Sequence, residues 1–595
     1  MKILTSIKNS SKGFIIAMLR FPLTIVLLFV LTILNYLSIK NYNLTFNNYS
    51  LILSLSVFLS ILSVMINERF FTKKLVLPIL FLISLFLSFI YYILFLNHLI
   101  IGEEITVQTL LLLFNLFVLF LWIPSIRSEV EFSESFMATF KSIFICLFYS
   151  GIIMLGMALI YAAIDSLLFN LNSDIYIQTA NIVFVLFAPI YFLSLLPSYP
   201  GKKIYKQSDL LAKELLVNLD NYTRPTKFLE ILLSYIIIPL ASVFTMILVI
   251  YIIINIGGSF WSDDLLELML ISYIVVVIII YFLISKIKNK FTVIFRNVFP
   301  KILIFIVTFQ TINSIIRIGV KGLTYGRYYV ILFGFFAFLS ALIFIFKPSK
   351  KHNQVALLLT ILLTISLLPW LGAFDISKNS QISLLEKTLK DNGMLVDNKL
   401  VFNQEIDNKS KDRIRDSMAY LAKMNYLDHI TFINDDFDYY QDFENNFGFP
   451  LYYQDDYINN SLNLYLDRDQ IILISDYDFM LESDLHYDIN RDNKSSNFQF
   501  VKDQQLYDVK INSAQGLITI NDSKGQVMIE IPASTIIDKY QKYQGNNQEM
   551  TIEDAVIELE NQNVKIKMVI KNLDSYDQGL VNNFYANAYL LIKIK

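Results

Sequence analysis

Apolar stretches long enough to cross a bilayer recur eleven times before residue 375, and none follows. A crossing helix needs about 20 apolar residues to span roughly 30 Å of hydrocarbon. The pattern predicts spans at Phe21–Ile39, Ser50–Ile66, Leu75–Leu96, Ile105–Trp122, Ile143–Ala163, Ile175–Leu196, Leu229–Ile254, Leu265–Ile284, Ile302–Val320, Tyr329–Phe346 and Val355–Phe374. Helices in a soluble core keep a polar face, and so many in succession without one argue for lipid as the solvent. The first span follows Lys2, Lys8, Lys12 and Arg20 as a signal peptide would, but no A-x-A-like cleavage site follows it, so it is read as a retained helix.

Beyond the last span the periodicity changes. Gln381–Asp391 places Ile382, Leu385 and Leu389 on one helical face, with Asn392-Gly393 as a stop. A second helix is predicted over Lys409–Met424, with Ile414, Met418 and Leu421 inward. Strands are predicted at Gln470–Ser475, Gly516–Ile520, Gln526–Ile531, Val564–Ile570 and Ala586–Ile594, with a hairpin loop at Asp522-Ser523-Lys524-Gly525. The expected fold is an α-helical polytopic membrane domain of about 11 helices over residues 1–374, followed by an extracytoplasmic α+β domain over residues 375–595.

Charge divides at the same place. Residues 375–595 hold 22 Lys and Arg against 36 Asp and Glu, whereas the preceding residues hold 27 against 15. Basic side chains occupy every second loop: before the first span, then at Arg69–Lys74, Arg127–Lys141, Lys202–Lys227, Lys286–Lys290 and Lys347–Lys351. The positive-inside rule therefore sets the N-terminus in the cytoplasm and the acidic region outside. A soluble region of that charge repels phosphate, which excludes nucleic acid as a partner. Abundant Ile, Lys and Asn with only 18 Gly suggest an AT-rich genome and a bacterial cell membrane as the location. The single cysteine, Cys146, allows no internal disulfide.

Candidate chemistry is sparse. Arg317, Lys321 and Arg327 fall on the outer side, against the trend, with Tyr328 beside them. They read either as an anion site for lipid phosphate or a phosphate-bearing wall polymer, or as structural partners of Glu103, Glu104, Asp165, Asp263 or Asp264. Asp165, Gln310 and Asn313 are the polar intramembrane or interface candidates, read as ion-coupling groups or as helix packing and capping. Pro78, Pro189 and Pro239 mark kinks. Asn434-x-Asp436-x-Asp438 lacks the glycine and closing glutamate of a calcium loop, and the four histidines assemble no zinc-protease spacing. Neither a phosphate loop nor a nucleophile elbow occurs, so no metal, cofactor or catalytic residue is expected.

Several passages resemble an uncharacterised family of polytopic bacterial membrane proteins, of the domain of unknown function 4153 type. These are Arg20-Phe21-Pro22-Leu23-Thr24, Phe192–Pro197, Pro239-Leu240, Arg317–Tyr329 and the stretch from Ser380-Gln381 through Gly393-Met394-Leu395. Lys321 and Tyr325-Gly326 depart from the family pattern. The resemblance implies the architecture and an envelope location, and it implies no reaction. The expectation is a non-enzymatic envelope protein whose exported domain engages a wall component, lipid headgroup or envelope protein. The alternatives are a transporter or lipid-handling protein with an outer-face anion site and, less favoured, a transferase using a lipid-linked donor.

Overall fold

The computed structural model describes all residues except 1–12, 41–46, 97–101, 256–263, 404, 435–436, 452–461, 468–469, 489–494, 513–516, 544–546 and 576–582. Two compact units emerge, Met1–Gly448 and Phe449–Lys595.

The first unit is helical. Six long apolar helices come first: α1 Pro22–Lys40, α2 Asn48–Phe70, α3 Val76–Leu96, α4 Glu103–Ser125, α5 Phe132–Leu167 and α6 Asp174–Leu195. The amphipathic α7, Asp209–Thr223, precedes α8, Lys227–Ile254, and α9, Asp264–Leu283. Then come α10 Lys290–Lys321, α11 Tyr325–Phe346 and the shorter α12 Asn353–Ser366. Two polar helices close the unit, α13 Ala373–Asp391 and α14 Asn408–Lys423. Among the described residues, nine helices are long and apolar enough to span a membrane.

Burial in this unit is inverted relative to a soluble protein. Leu155, Leu159 and Met246 are each more than 60% exposed, while Ser60, Ser142, Ser340 and Thr24 are fully buried. Small hydroxyl residues at helix contacts let backbones approach, as when Thr24 and Ser60 hydrogen-bond across α1 and α2 at 2.7 Å. Apolar side chains face outward because the surrounding solvent is hydrocarbon. This is a multi-pass membrane protein.

The prolines act through the backbone. Pro189 and Pro239 each lie two residues after a π-helical segment, Asn181–Phe187 and Leu232–Ile237. A proline cannot donate to the carbonyl four residues back and crowds it, and the wider turn relieves that clash. Pro78 sits in the first turn of α3, where its missing N–H costs nothing.

Near the eleventh predicted span the apolar run outlasts the helix. α12 stops at Ser366, after 14 residues, and Pro369 follows with Trp370 at φ 65°. Helical rise gives α12 a length of about 21 Å.

Contacts between helix ends fall into two sets. In the first, Arg20 pairs with Glu68 through both carboxylate oxygens at 2.8 and 2.7 Å. Arg69 donates to the carbonyls of Ile126, Pro200 and Arg127. Lys286 bridges Glu134 at 2.6 Å and Asp220 at 2.5 Å, and Ser349 reaches Glu131. In the second set, Asn48 donates to the Leu96 carbonyl, Gln178 to that of Tyr36 and Tyr328 to that of Leu371. α12 therefore leaves the set containing Ser349 and reaches the set containing Leu371.

The second unit is built of strands β1 Leu462–Leu466, β2 Phe479–Asp488, β3 Ser495–Lys502, β4 Gln505–Asn512, β5 Leu517–Asn521, β6 Val527–Pro532, β7 Asn547–Met550, β8 Val556–Glu560, β9 Val564–Ser575 and β10 Asn583–Ile594. One sheet runs β2–β10–β9–β1–β7 with β8 also on β9, and the other runs β3–β4–β5–β6. Among the described residues, only β1 and β7 pair in parallel. Their shared core includes Leu464, Val509, Ile520, Ile570, Leu573 and Leu591. The β5–β6 turn matches expectation: Asp522 accepts the Lys524 and Gln526 amides, and Gly525 sits at φ 77°.

Gln470–Ser475 is not a strand. Its aliphatic residues have β propensity, but a strand also needs a partner edge, and β2 occupies the edge of β10. Ile471 and Leu473 are left 82% and 71% exposed.

Candidate functional site

A polar cluster built from distant parts of the first unit gathers where α4, α11, α13 and α14 meet. The turn between α10 and α11 shapes it. Gly322 takes φ 70°, a conformation that favours glycine, and a Cβ there would lie 2.6 Å from Gln381 Nε2. That amide donates to the carbonyls of Lys321 and Leu323, at 3.0 and 3.3 Å. The Leu323 amide donates to Ser380 Oγ at 3.0 Å, so α13 fixes the turn from both sides. Thr324 caps α11 by accepting the Arg327 amide.

From this turn Tyr325 projects across to α4. Its hydroxyl donates to Glu103 Oε1 at 2.5 Å, its amide donates to the Tyr420 hydroxyl at 3.1 Å, and its ring stacks on Phe374. Tyr420 in turn donates to Ser377 Oγ at 2.9 Å. Glu103 also pairs with Lys423 at 3.0 Å. Glu104 accepts from the Tyr426 hydroxyl at 2.6 Å and from Gln108 at 3.0 Å. Lys378 sits over the Tyr426 ring and pairs with Asp375. Burial, reinforced by the Glu104 carboxylate, pushes the Tyr426 phenol well up. The Trp370 amide and Lys378 hold the Asp375 carboxyl below the usual range. Phenols, carboxylates and ammonium groups so arranged clamp the polar helices to the ends of the spanning ones.

The residues singled out from sequence divide into three places. Arg317, Lys321, Arg327 and Tyr328 lie around this one turn. Arg317 is buried, Arg327 donates to the Gly322 carbonyl at 3.0 Å, and Lys321 is exposed. Lys321 acts on Asp416, whose carboxyl desolvation pushes up and Lys321 pulls back. Gln310 and Asn313 are buried on α10, with Ser314 and Arg317 on the same face at helical spacing. Neither polar atom of the Gln310 side chain has a hydrogen-bond partner, nor has Asn313 Oδ1. Gln310 packs toward Gly334 of α11, where a Cβ would meet Thr311 Oγ1 at 2.4 Å. Asp165 stands apart: it is exposed at the end of α5 and accepts the Leu171 amide at 2.6 Å.

Glu103 and Glu104 are engaged by Tyr325, Lys423 and Tyr426, while Asp263 lies outside the described residues. In the acidic stretch, Asp438 and Asp442 accept backbone amides of their own turn, and Asp436 lies outside the described residues. Among the described residues no three His, Cys, Asp or Glu side chains converge as a metal site requires. Sequence reasoning missed Tyr325, Ser377, Gln381, Tyr420, Lys423 and Tyr426 as one cluster. No local signal marked them, because Tyr325 precedes the last two apolar runs whereas Tyr420 and Tyr426 lie well beyond their end.

Residues 16–400 match the family described as Domain of unknown function (DUF4153). No curated protein and no solved structure matches the chain.

Proposed function

The chain belongs to the domain-of-unknown-function family DUF4153, and from that premise we propose a non-enzymatic protein of the bacterial cell envelope. Eleven passages leave the N-terminus in the cytoplasm and carry residues 375–595 outside, where the acidic α+β region engages an envelope partner. The sorting of helix-end contacts carries this reading. Ser349 belongs with Glu131 and Leu371 with Tyr328, which supports α12 as the eleventh passage despite its 14 residues. Arg20, Arg69 and Lys286 all lie in the first set, which the positive-inside rule assigns to the cytoplasm. The clamp around Tyr325 and Tyr426 then anchors the exported region to the outer ends of the helices.

An alkaline phosphatase fused after Lys595 should be active in intact cells, and a cytosol-maturing fluorescent reporter fused there should stay dark. The reverse pair of results removes the reading. A second reading, transport or lipid handling through an anion site at Arg317, Lys321, Arg327 and Tyr328, is favoured by one observation. Buried Arg317 shares its helix face with Gln310, neither of whose side-chain polar atoms has a hydrogen-bond partner, and with Asn313, whose Oδ1 has none. Uptake of inorganic phosphate into reconstituted vesicles, lost in Arg317→Ala, would select it.

A further inference from the structure

A cleft of about 480 Å³ opens beside the clamp, within the range of pockets that enclose small organic ligands. Tyr91, Phe95, Ile105, Leu112, Leu367 and Phe374 form an apolar wall. Glu104, Gln108 and Asp375 supply its polar edge. The lip is the turn after α12, and it is tightly specified. Trp370 holds φ 65° with its amide on Asp375 Oδ2 at 3.0 Å, and a Cβ on Gly372 would meet the Leu368 carbonyl at 2.6 Å. This turn leaves Trp370 86% and Leu371 57% exposed at the end of an apolar helix, where headgroups meet the hydrocarbon.

Charge around the cleft is unbalanced. Asp375 is offset by Lys378 and Glu103 by Lys423. Among the described residues Glu104 accepts from Gln108 and Tyr426, both neutral donors, and no cation pairs with it beside the cleft. An uncompensated carboxylate beside a bilayer is costly and favours a cationic ligand.

We propose that this cleft binds an amphiphile carrying a protonated amine, with the ammonium at Glu104 and Asp375 and an alkyl chain along the Ile105–Leu112 wall. The inference rests on this end of the bundle lying at a membrane surface, whichever side that is.

The test uses the full chain in neutral maltoside micelles at pH 7, with Trp122→Phe and Trp261→Phe so that Trp370 reports alone. Dodecylamine, scaled to its mole fraction in the micelle, should change Trp370 emission saturably. Dodecanol, which lacks the charge, should need about tenfold more, and ethylamine, which lacks the chain, should give no saturable response over the same range. Glu104→Gln should weaken dodecylamine about tenfold and leave dodecanol unchanged. Ile105→Phe with Leu112→Phe fills the wall while keeping every carboxylate, and should abolish the response even where Glu104→Gln folds poorly. Equal binding of dodecanol, equal binding of ethylamine, tighter binding of dodecyl sulfate, or no saturable response from a normally melting protein would each overturn the proposal. Micelles have no inside or outside, so a failure here leaves the membrane placement untouched.

Discussion

The two ends of the helical unit solve one problem with different chemistry. Both must tie together helices whose apolar sides gain nothing from each other relative to lipid. At the end bearing Arg20, Arg69 and Lys286, full charges do so: Lys286 holds two carboxylates at once and Arg69 gathers three carbonyls. At the opposite end phenols take over, Tyr325 on Glu103 and Tyr426 on Glu104. The asymmetry shows that a helix end can be anchored by phenol–carboxylate hydrogen bonds as well as by full ion pairs.

The largest effect should come from Lys286. Replacing it with Met leaves Glu134 and Asp220 facing each other half-buried, and should destabilise the protein by about 2 kcal/mol. Thermal unfolding in detergent would read this. Lys423→Met, at the phenolic end on a 62% exposed side chain, should cost no more than about 0.5 kcal/mol. Equal losses would erase the distinction between the ends.

Gly322→Ala comes next. Positive φ and the clash with Gln381 should together cost about 1–2 kcal/mol and loosen the clamp. Gly326→Ala, with open space around its Cβ, is the neutral control. Limited proteolysis of the polar helices should accelerate in the first variant and not in the second.

Tyr426→Phe removes one donor from Glu104 and should cost about 1 kcal/mol. The smallest effect, and the sharpest contrast, is in pH. Lys286, with help from Arg224 and against burial, holds the Asp220 carboxyl low. Its stabilisation is present above the ordinary Asp value near 4 and is lost as pH falls through the lower folded value. Tyr426 is shifted the other way, so its contribution holds below the ordinary phenol value near 10 and is lost as pH rises. Melting midpoints should therefore fall at acid pH in a way that Lys286→Met blunts, and at alkaline pH in a way that Tyr426→Phe blunts. A shared window for both variants would contradict separate anchors.

The spanning helices were legible because an apolar run of bilayer length is a local property of the chain. The clustering of loop charges such as Lys286 and Arg69 between those runs was legible for the same reason. The α12 end was less so: hydropathy continues to Phe374, whereas Pro369 and the Asp375–Trp370 hydrogen bond end the helix at Ser366. Isolated aliphatic patterning misled at Gln470–Ser475, since a strand is decided by its partner. β2, with Glu482, Ser483, Asp484 and His486 among its residues, has too little apolar alternation to read as the long strand that it is. Arg317, Lys321 and Arg327 were found because they break a charge trend. Tyr325 and Tyr426 break none, and their meeting with Glu103 and Glu104 spans more than 200 residues of sequence. No local pattern encodes that pairing.

Cysteine mapping in intact cells tests the placement most directly. With Cys146→Ser as background, Ser523→Cys in the exposed β5–β6 turn and Lys213→Cys on α7 probe the two sides. A membrane-impermeant maleimide should label Ser523→Cys in whole cells and reach Lys213→Cys only after permeabilisation. Labelling of Lys213→Cys in whole cells, with Ser523→Cys protected until the membrane is opened, would contradict the account.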